Sequence, residues 1–388
     1  MTRCYVFKLK PTASQAARLQ RCLDLAREVY NAGLEQRIRA YRTTGRSPGW
    51  YEQKREIKEL RAAGFTDGIH VHVLQETLRR LDRAYQAFFR RCAQGASRKG
   101  FPRFKAARHW RSFTFQEYGN GVRLDADTRR LRVSGVGSAR VRLHRPLEGT
   151  PKTVTIVRKP DGWYARIVCE LPDTLAVADV NPAQRAALDL GVEALATLHT
   201  GERIENPRPL ASARRKLLAE QRALSRKKRG SRRRAKQRER VARAHLKIAR
   251  VRRDYLHKQS RTLAERYLLI AVEDLTVAAM TRSAKGTIVM PGRRVRQKAG
   301  LNRAILDAAW GELLELLDYK LQEHGGGLVC VDARATSQAC SGCGAQVPKP
   351  LSERRHDCPH CGLSIHRDHN AALNIHHRAW AVPVAEAA

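Results

Sequence analysis

The chain has 388 residues, 42% of them hydrophobic, and carries 75 Lys and Arg against 37 Asp and Glu, a formal net charge of +38. This length allows two or three domains with real cores, and the positive excess predicts a polyanionic partner. A membrane surface is disfavoured because no apolar run approaches the ~20 residues of a membrane span, and the N-terminus lacks the apolar region of a signal peptide. We therefore expect a cytoplasmic protein that binds nucleic acid.

The first hundred residues predict one strand followed by a helical bundle. The opening residues RCYVFKL alternate between polar and apolar, which is typical of a strand. Apolar residues at helical spacing then indicate three helices. The first has Thr12 or Ser14 as its candidate N-cap, the second spans roughly Tyr51–Ala63, and the third has an apolar face running from Leu74 to Phe88.

From Ser112 to Leu171 the pattern changes to short alternating runs separated by Gly, Pro and Asp turns. Such runs predict a small antiparallel barrel or sandwich. The opening strand could complete this sheet, which would make the helical bundle an insertion.

The second half predicts an α/β domain. After a linker, PDTLAVADVNPAQ, the order is two strands, a long helical pair, a strand, a helix, a strand, a cysteine-rich ribbon and a last helix. One continuous helix is expected over LNRAILDAAWGELLELLDYKLQEH, with the following glycines as its stop. This order is typical of helices packed on a mixed sheet.

Four of the nine cysteines form two Cys-x-x-Cys knuckles fourteen residues apart, and a glycine follows each knuckle. Each knuckle presents two thiolates on one side of a tight turn, so two knuckles can close a tetrahedron around Zn²⁺. The predicted ligands are Cys340, Cys343, Cys358 and Cys361. A closed site of this kind has no open coordination position, which predicts a structural zinc. The other five cysteines are scattered, which favours a reducing compartment over a disulfide framework.

Three acids lie at the ends of predicted elements, where a buried strand ends or a helix begins. Asp189 lies at the end of an apolar strand, Glu273 ends another strand, and Asp368 begins the final helix. Converging carboxylates suit Mg²⁺, and two such ions can clamp the attacking and leaving oxygens of a phosphodiester displacement. Position alone favours the plainer alternative of three unrelated surface or capping acids. Asp274, beside Glu273, is an equally available carboxylate by that criterion.

The helical pair over residues 210–262 is strongly basic. Between Arg214 and Arg253 there are 19 Lys and Arg but 2 Glu, with a turn expected at Gly230 and Ser231. A charge run is usually a solvated face, but this density favours phosphate contact. The candidate nucleic-acid-binding residues are Arg229, Arg232, Arg233, Arg234 and Arg238.

Histidines near the C-terminus, His366, His369, His376 and His377, are a weaker metal candidate. The last two are adjacent and cannot share one helix face. We therefore expect exposed or helix-end positions rather than one metal cluster.

The acids and the ribbon, in this order, resemble the TnpB family of transposon-encoded RNA-guided nucleases, which is related to compact type V CRISPR effectors. The resemblance covers nearly the whole chain. It is most specific in the stretches ALDLGVEALATL, AVEDL, ILDAAWGELLELLDYK, TSQACSGCG and CPHCGLSIHRDHNAALNI, and looser in KGFPRFK and FKLKPTASQ. The family's RuvC nuclease domain has the acid order D…E…D, which carries over onto Asp189, Glu273 and Asp368 as catalytic Mg²⁺ ligands.

The resemblance implies a multidomain α+β chain with an RNase H-like nuclease half. Its expected parts are WED barrel strands in residues 1–11 and 111–180, an inserted REC helical bundle in 12–110, a RuvC-like domain in 181–335 with the basic hairpin 210–262, a zinc ribbon that engages target nucleic acid in 336–365, and the RuvC return in 366–388. The N-terminal parts would hold the guide RNA and read a short motif beside the target.

The implied function is a Mg²⁺-dependent, RNA-guided DNA endonuclease of a prokaryotic transposable element, associated with the nucleoid. Its partners would be a guide RNA derived from the transposon end and a target double-stranded DNA. Three alternatives remain. A guided DNA-binding protein or repressor without cleavage is disfavoured because all three acids are kept, and a DNA transposase is disfavoured because its acids usually run D…D…E. A plain basic RNA-binding protein would explain the charge and the zinc but not the acids. The guide, the flanking motif, the cut positions and the oligomeric state are left open.

Overall fold

The computed structural model describes residues 2–173, 177, 179–350 and 353–380. These residues form two compact units, Met1–Asp173 and Thr174–Ala388. Part of the predicted linker and the tail after Trp380 lie outside the described residues. Across the described ranges, no helix is both long and apolar enough to span a bilayer.

The first unit is built on a seven-stranded antiparallel sheet. Its strands are β1 (Thr2–Lys10), β2 (Ser112–Phe115), β3 (Val122–Asp125), β4 (Arg130–Val133), β5 (Gly137–Arg142), β6 (Thr150–Lys159) and β7 (Gly162–Glu170). Their order is β2-β6-β7-β1-β5-β4-β3. Strand β1 pairs with both β5 and β7, so the first strand lies inside the sheet and the helices that follow it are inserted, as predicted. Within the described residues the edge strands β2 and β3 do not pair, so the closed WED barrel stays a prediction.

Three helices fill the insertion: α1 (Ala13–Thr44), α2 (Trp50–Ala62) and α3 (Val71–Ala93). Thr12, not Ser14, is the N-cap of α1, because its hydroxyl accepts from the Gln15 amide at 3.3 Å while the Gln15 side chain accepts from the Thr12 amide at 3.0 Å. On the apolar face predicted for α3, Phe88 is partly exposed. The other members of that face are buried: Leu74, Leu78, Leu81 and Tyr85. Three helices therefore lie between β1 and β2, and their role as a REC bundle stays a prediction.

The second unit contains a five-stranded mixed sheet. Its strands are β8 (Arg185–Leu190), β9 (Ala194–Leu198), β10 (Arg203–Glu205), β11 (Leu269–Glu273) and β12 (Gly327–Val331). Their order is β10-β9-β8-β11-β12, with β8, β9 and β10 antiparallel and β8, β11 and β12 parallel. The mixed sheet is as predicted, except that the three-residue strand β10 was not expected.

Helices surround this sheet: α4 (Pro209–Ser225), α5 (Arg232–Arg266), α6 (Val277–Met280), α7 (Val295–Ala308), α8 (Trp310–Glu323) and α9 (Arg367–Trp380). The prediction of one continuous helix from Leu301 is wrong. That region is two helices, and they meet at Ala309, whose φ of 56° is left-handed. The break turns Trp310 into the core, where its side chain is buried, so tertiary packing overrides the helical preference of the local sequence.

The cysteine-rich ribbon lies between β12 and α9. It contains a short antiparallel pair, β13 (Arg355–Asp357) and β14 (Ser364–His366). Helix α9 follows β14 directly, so the chain returns from the ribbon at the residue before Asp368.

Candidate active site and metal centre

Asp189 and Glu273 lie at corresponding positions on adjacent parallel strands. Leu188 of β8 is in register with Val272 of β11, and each is followed by its acid. Side chains at matching positions of neighbouring strands point to the same face of a sheet, so both carboxylates lie on one face at the carboxyl ends of the strands. The carboxyl edge of parallel strands is where open α/β sheets bind ligands.

Apolar composition fixes these two strands at the centre of the sheet. The three residues before each acid, Ala186–Leu188 and Ile270–Val272, are fully buried. Strands buried on both faces are typically continuous apolar runs rather than alternating ones. Each acid is the first polar side chain after its buried run.

Asp368 reaches the same place from helix α9. Ile375 of α9 packs with Ala187 of β8 and Ala271 of β11, so the helix covers the strands that carry the other two acids. Asp368 lies in the first turn of α9, and its side chain is 14% exposed. The structure thus brings all three predicted acids together.

Electrostatics at the site reflect this convergence. Burial raises the pKa of Asp189 well above its usual range, and the charges of Glu273 and then Asp368 raise it further, while Arg367 acts in the opposite direction. Burial also raises the pKa of Glu273, against the effect of a hydrogen bond from Thr336. Facing carboxylates destabilise one another's charged forms, and a divalent cation relieves that repulsion.

The three acids do not form the tight shell of a single ion. The four ribbon cysteines have all their sulfur atoms within 4.8 Å of one another. They form the one such group of three or more His, Cys, Asp or Glu residues in the part of the chain that the structure describes. The carboxylates are therefore more widely spaced than that cluster.

The ribbon cysteines fit zinc. The sulfurs of Cys340 and Cys361 are 3.6 Å apart, as are those of Cys343 and Cys358. Four thiolates at the usual Zn–S distance of about 2.3 Å would form a tetrahedron with edges of about 3.8 Å. The cluster is thus compatible with a Zn²⁺ ion held by all four predicted ligands.

Matching turns build the two knuckles. The Gly344 amide donates to the Cys340 carbonyl at 2.8 Å, and the Gly362 amide donates to the Cys358 carbonyl at 3.0 Å. Both glycines are left-handed, with φ of 78° and 74°. A side chain is disfavoured in that backbone region, which explains the glycine that follows each Cys-x-x-Cys pair.

Sequence reasoning missed one residue at the acids. The buried hydroxyl of Thr336, at the entry to the ribbon, donates to the Glu273 carboxylate. The two residues are 63 positions apart, so no local pattern could indicate the contact.

The basic hairpin has the predicted turn. Ser231 caps α5 by accepting from the Arg234 amide at 3.1 Å, and Gly230 before it has φ of 83°. Four of the five predicted arginines are exposed: Arg229, Arg232, Arg233 and Arg238. Arg234 is partly buried and donates to the carbonyls of Leu224 and Lys227 at 2.8 and 2.7 Å, so it holds the end of α4 against α5.

The C-terminal histidines do not form one metal cluster among the described residues. His377 is exposed, as expected. His376 instead stacks on His199, in the turn after β9, with ring centroids 4.4 Å apart, and the His369 Nε2 lies 3.0 Å from the His199 carbonyl oxygen. These contacts fasten α9 to the turn that follows β9.

Family models match three parts of the chain. A model described as "Probable transposase" (OrfB, IS605) matches residues 166–284, and one described as "Cas12f1-like, TNB domain" matches residues 310–375. A third, described as "Helix-turn-helix domain", matches residues 1–46. In this structure that last region is the strand β1 and the single helix α1.

A curated protein of Escherichia coli (strain K12), named "Putative RNA-guided DNA endonuclease InsQ", is 34% identical to this chain over 96% of the chain and 91% of its own length. The chain belongs to the TnpB family. A Streptomyces pristinaespiralis protein named "Putative RNA-guided DNA endonuclease" is 35% identical over 96% of this chain and 88% of its own. The predicted membership in a family of transposon-associated RNA-guided nucleases is confirmed.

More distant similarity extends to CRISPR effectors. "CRISPR-associated endodeoxyribonuclease Cas12f1" of Sulfoacidibacillus thermotolerans is 27% identical over 55% of this chain and 49% of its own length. The solved structure of CasPhi-2 (Cas12j) bound to crRNA and phosphorothioate-DNA covers 98% of this TnpB chain, and 91% of that chain is matched, at 11% identity and a TM-score of 0.45.

Proposed function

We propose that this TnpB protein is a Mg²⁺-dependent, RNA-guided DNA endonuclease of a transposable element, and that Asp189, Glu273 and Asp368 hold its catalytic ions. The observation that carries the proposal is that Asp189 and Glu273 follow registered residues of adjacent parallel strands, and that α9, which carries Asp368, packs on the same two strands. Carboxylates from two strand ends and one helix start are unfavourable together without a cation. The sheet order, with β8 at its centre, fits the RNase H-like fold that the resemblance implies.

The protein's contribution to cleavage is placement of oxygen ligands. Bound Mg²⁺ would supply stabilisation of the attacking and leaving oxygens of the phosphodiester. Asp189 and Glu273 offer carboxylates from strands anchored in the core, and Asp368 offers a third from α9. The Thr336 hydroxyl donates a hydrogen bond to the Glu273 carboxylate. Because all three acids stand on regular elements, little reorganisation is needed when the ions and the DNA bind.

The zinc of the ribbon has a structural role in this proposal. Four thiolates complete its coordination, which leaves no position for a water or a phosphate oxygen. The ribbon's two ends lie beside Glu273 and Asp368, through Thr336 and α9 respectively. That placement supports the expectation that the ribbon contacts target nucleic acid close to the cleavage site.

The partners that we propose are a guide RNA from the transposon end and a target double-stranded DNA, in a protein associated with the nucleoid. The names of the E. coli and Streptomyces relatives support an RNA guide and a DNA substrate. The exposed arginines of the basic hairpin offer sequence-independent contacts to phosphates. Residues 1–173 would hold the guide and read the flanking motif, as the resemblance implies.

Two other functions are less well supported: guided DNA binding without cleavage, and transposition by strand transfer. A guided binder without cleavage has no need for three converging acids. The description "Probable transposase" favours strand transfer, but the order Asp, Glu, Asp with a ribbon before the last acid differs from the usual D…D…E order. The deciding experiment incubates the protein and its co-purified RNA with a plasmid carrying a matching target. Cleavage by the wild type with Mg²⁺, and none by Asp189→Ala, is the expected result. Equal cleavage by the two proteins would contradict the proposal.

A further inference from the structure

The entry to the zinc ribbon is hydrogen-bonded to one of the three acids, Glu273, and to α9, the helix that carries Asp368. Thr336 is 3% exposed, and its hydroxyl donates to the Glu273 Oε1. The same hydroxyl lies 3.2 Å from the Ala333 carbonyl oxygen, its other acceptor. A hydrogen bond to a carboxylate is stronger than one to a carbonyl, so the Glu273 contact is favoured whenever that side chain is ionised.

Helix α9 holds the backbone of Thr336 in place. The Asn374 side-chain amide donates to the carbonyls of Thr336 and Ala339 at 2.7 and 2.8 Å. Asn374 is 8% exposed. Its two N–H groups therefore tie both ends of the short segment before the first zinc ligand to one side chain.

Asn370, one helical turn earlier, holds the first zinc knuckle itself. Its side-chain amide donates to the Ala339 carbonyl at 2.8 Å, and its oxygen accepts from the Ser341 amide at 2.9 Å. Cys340 lies between these two contacts. Asn370 is fully buried and is two residues from Asp368, so the helix that offers one acid also grips the knuckle.

We infer that Thr336 is a positioning residue for the Glu273 carboxylate, and that Asn374, on the helix that carries Asp368, keeps Thr336 in place. Helix α9 would then help to orient a second acid of the cleavage site without touching the substrate. This inference rests on the proposed function, because it concerns one of the three acids assigned there. Side chains that orient a metal ligand in this way commonly change metal affinity or activity by about 10- to 100-fold when removed.

Thr336→Val tests the inference with little change of shape, because it replaces only the hydroxyl. Full-length protein with its guide RNA is compared with Thr336→Val, Thr336→Ser and Glu273→Ala. Thr77→Val is the matched control, since Thr77 is equally buried and its hydroxyl donates to the Val73 carbonyl in helix α3. The measurements are zinc content, guided target binding, cleavage across a Mg²⁺ series, and Mn²⁺ binding followed by electron paramagnetic resonance.

We expect Thr336→Val to keep its zinc and its target binding, to bind Mn²⁺ more weakly, and to cleave about 10- to 100-fold more slowly. Thr336→Ser, which restores the donor, should recover most of the rate, and Thr77→Val should match the wild type. Wild-type Mn²⁺ binding and cleavage by Thr336→Val, with Glu273→Ala inactive, would overturn this inference alone. Cleavage by Glu273→Ala would overturn the proposed function itself. If Thr336→Val loses zinc, Thr336→Ala is measured instead, with the same two outcomes.

Discussion

The indole nitrogen of Trp310 donates to the Gly191 carbonyl at 3.1 Å. Gly191 lies two residues after Asp189, and Trp310 is the first residue of α8, so this bond fastens the end of β8 to the helix layer. Trp310 can reach that carbonyl because the chain breaks between α7 and α8. The left-handed residue at the break, Ala309, is therefore part of what holds the Asp189 strand end.

Ala309→Gly should leave the stability of the second unit unchanged or raise it by up to about 2.5 kcal/mol. A left-handed non-glycine residue costs on the order of 1–3 kcal/mol, and glycine removes that strain while adding about 0.5–1 kcal/mol of unfolded-state entropy. In a continuous helix the same change would lower stability by about 1 kcal/mol. The sign of the shift in melting temperature therefore distinguishes the two helices from the single helix that the sequence favours. A clear loss of stability would count against the break.

Glu273→Ala should abolish guided cleavage, whereas Asp274→Ala should cut close to the wild-type rate. The two acids are adjacent, but Glu273 is the last residue of β11 and is only partly exposed, whereas Asp274 lies after the strand and is exposed. Removing one ligand of a two-ion site misplaces both the attacking and the leaving oxygen. The measurement is plasmid cleavage with Mg²⁺ and a matching guide, with target binding as the control. Inactivity of both variants, or of neither, would reject this assignment of the acids.

Cys340→Ser and Cys361→Ser should each release about one zinc per chain, because formation of such a site is coupled to local folding. Cys4→Ser is the matched control, since Cys4 is free and exposed and lies in the first unit. Zinc content measured by mass spectrometry, together with protease sensitivity of the ribbon, reports the result. Full zinc retention in both ribbon variants would reject this set of ligands.

Neutralising Arg229, Arg232, Arg233 and Arg238 together should weaken non-specific DNA and RNA binding. The slope of log affinity against log salt should fall by about 0.7–0.9 for each phosphate that the variant no longer neutralises. Arg234→Gln is the contrast, because Arg234 already donates to two carbonyls at the end of α4. Arg234→Gln should lower the melting temperature of the protein and leave the salt slope nearly unchanged. An unchanged slope in the fourfold variant would mean that these arginines form a solvated surface and do not contact phosphates.

The features that the sequence predicted correctly are those set by neighbouring residues. Apolar runs located the strands that carry Asp189 and Glu273, and the cysteine spacing located the ribbon, because strand burial and knuckle turns involve neighbouring residues. The sequence did not predict the break at Ala309, since alanine is the best helix former and the break is favoured only by burial of Trp310. The Thr336 contact was also out of reach, because it joins residues that only the fold brings together.

Asp189→Asn should raise the stability of the protein in the absence of Mg²⁺ even as it abolishes cleavage. Burial and two neighbouring acids raise the folded-state pKa of Asp189 above its unfolded value, so the folded protein holds that proton more tightly. The resulting stability is fully present below the unfolded pKa of about 3.9 and is lost as pH rises through the folded pKa. Once Asp189 is deprotonated, the wild type carries an unfavourable charge, which asparagine removes. Melting temperatures measured from pH 5 to pH 8 in Mg²⁺-free buffer should fall more steeply for the wild type than for Asp189→Asn. Added Mg²⁺ should raise the melting temperature of the wild type and leave that of the variant nearly unchanged. Parallel curves for the two proteins, with no response to Mg²⁺ in either, would mean that Asp189 is neither destabilised by its neighbours nor a ligand.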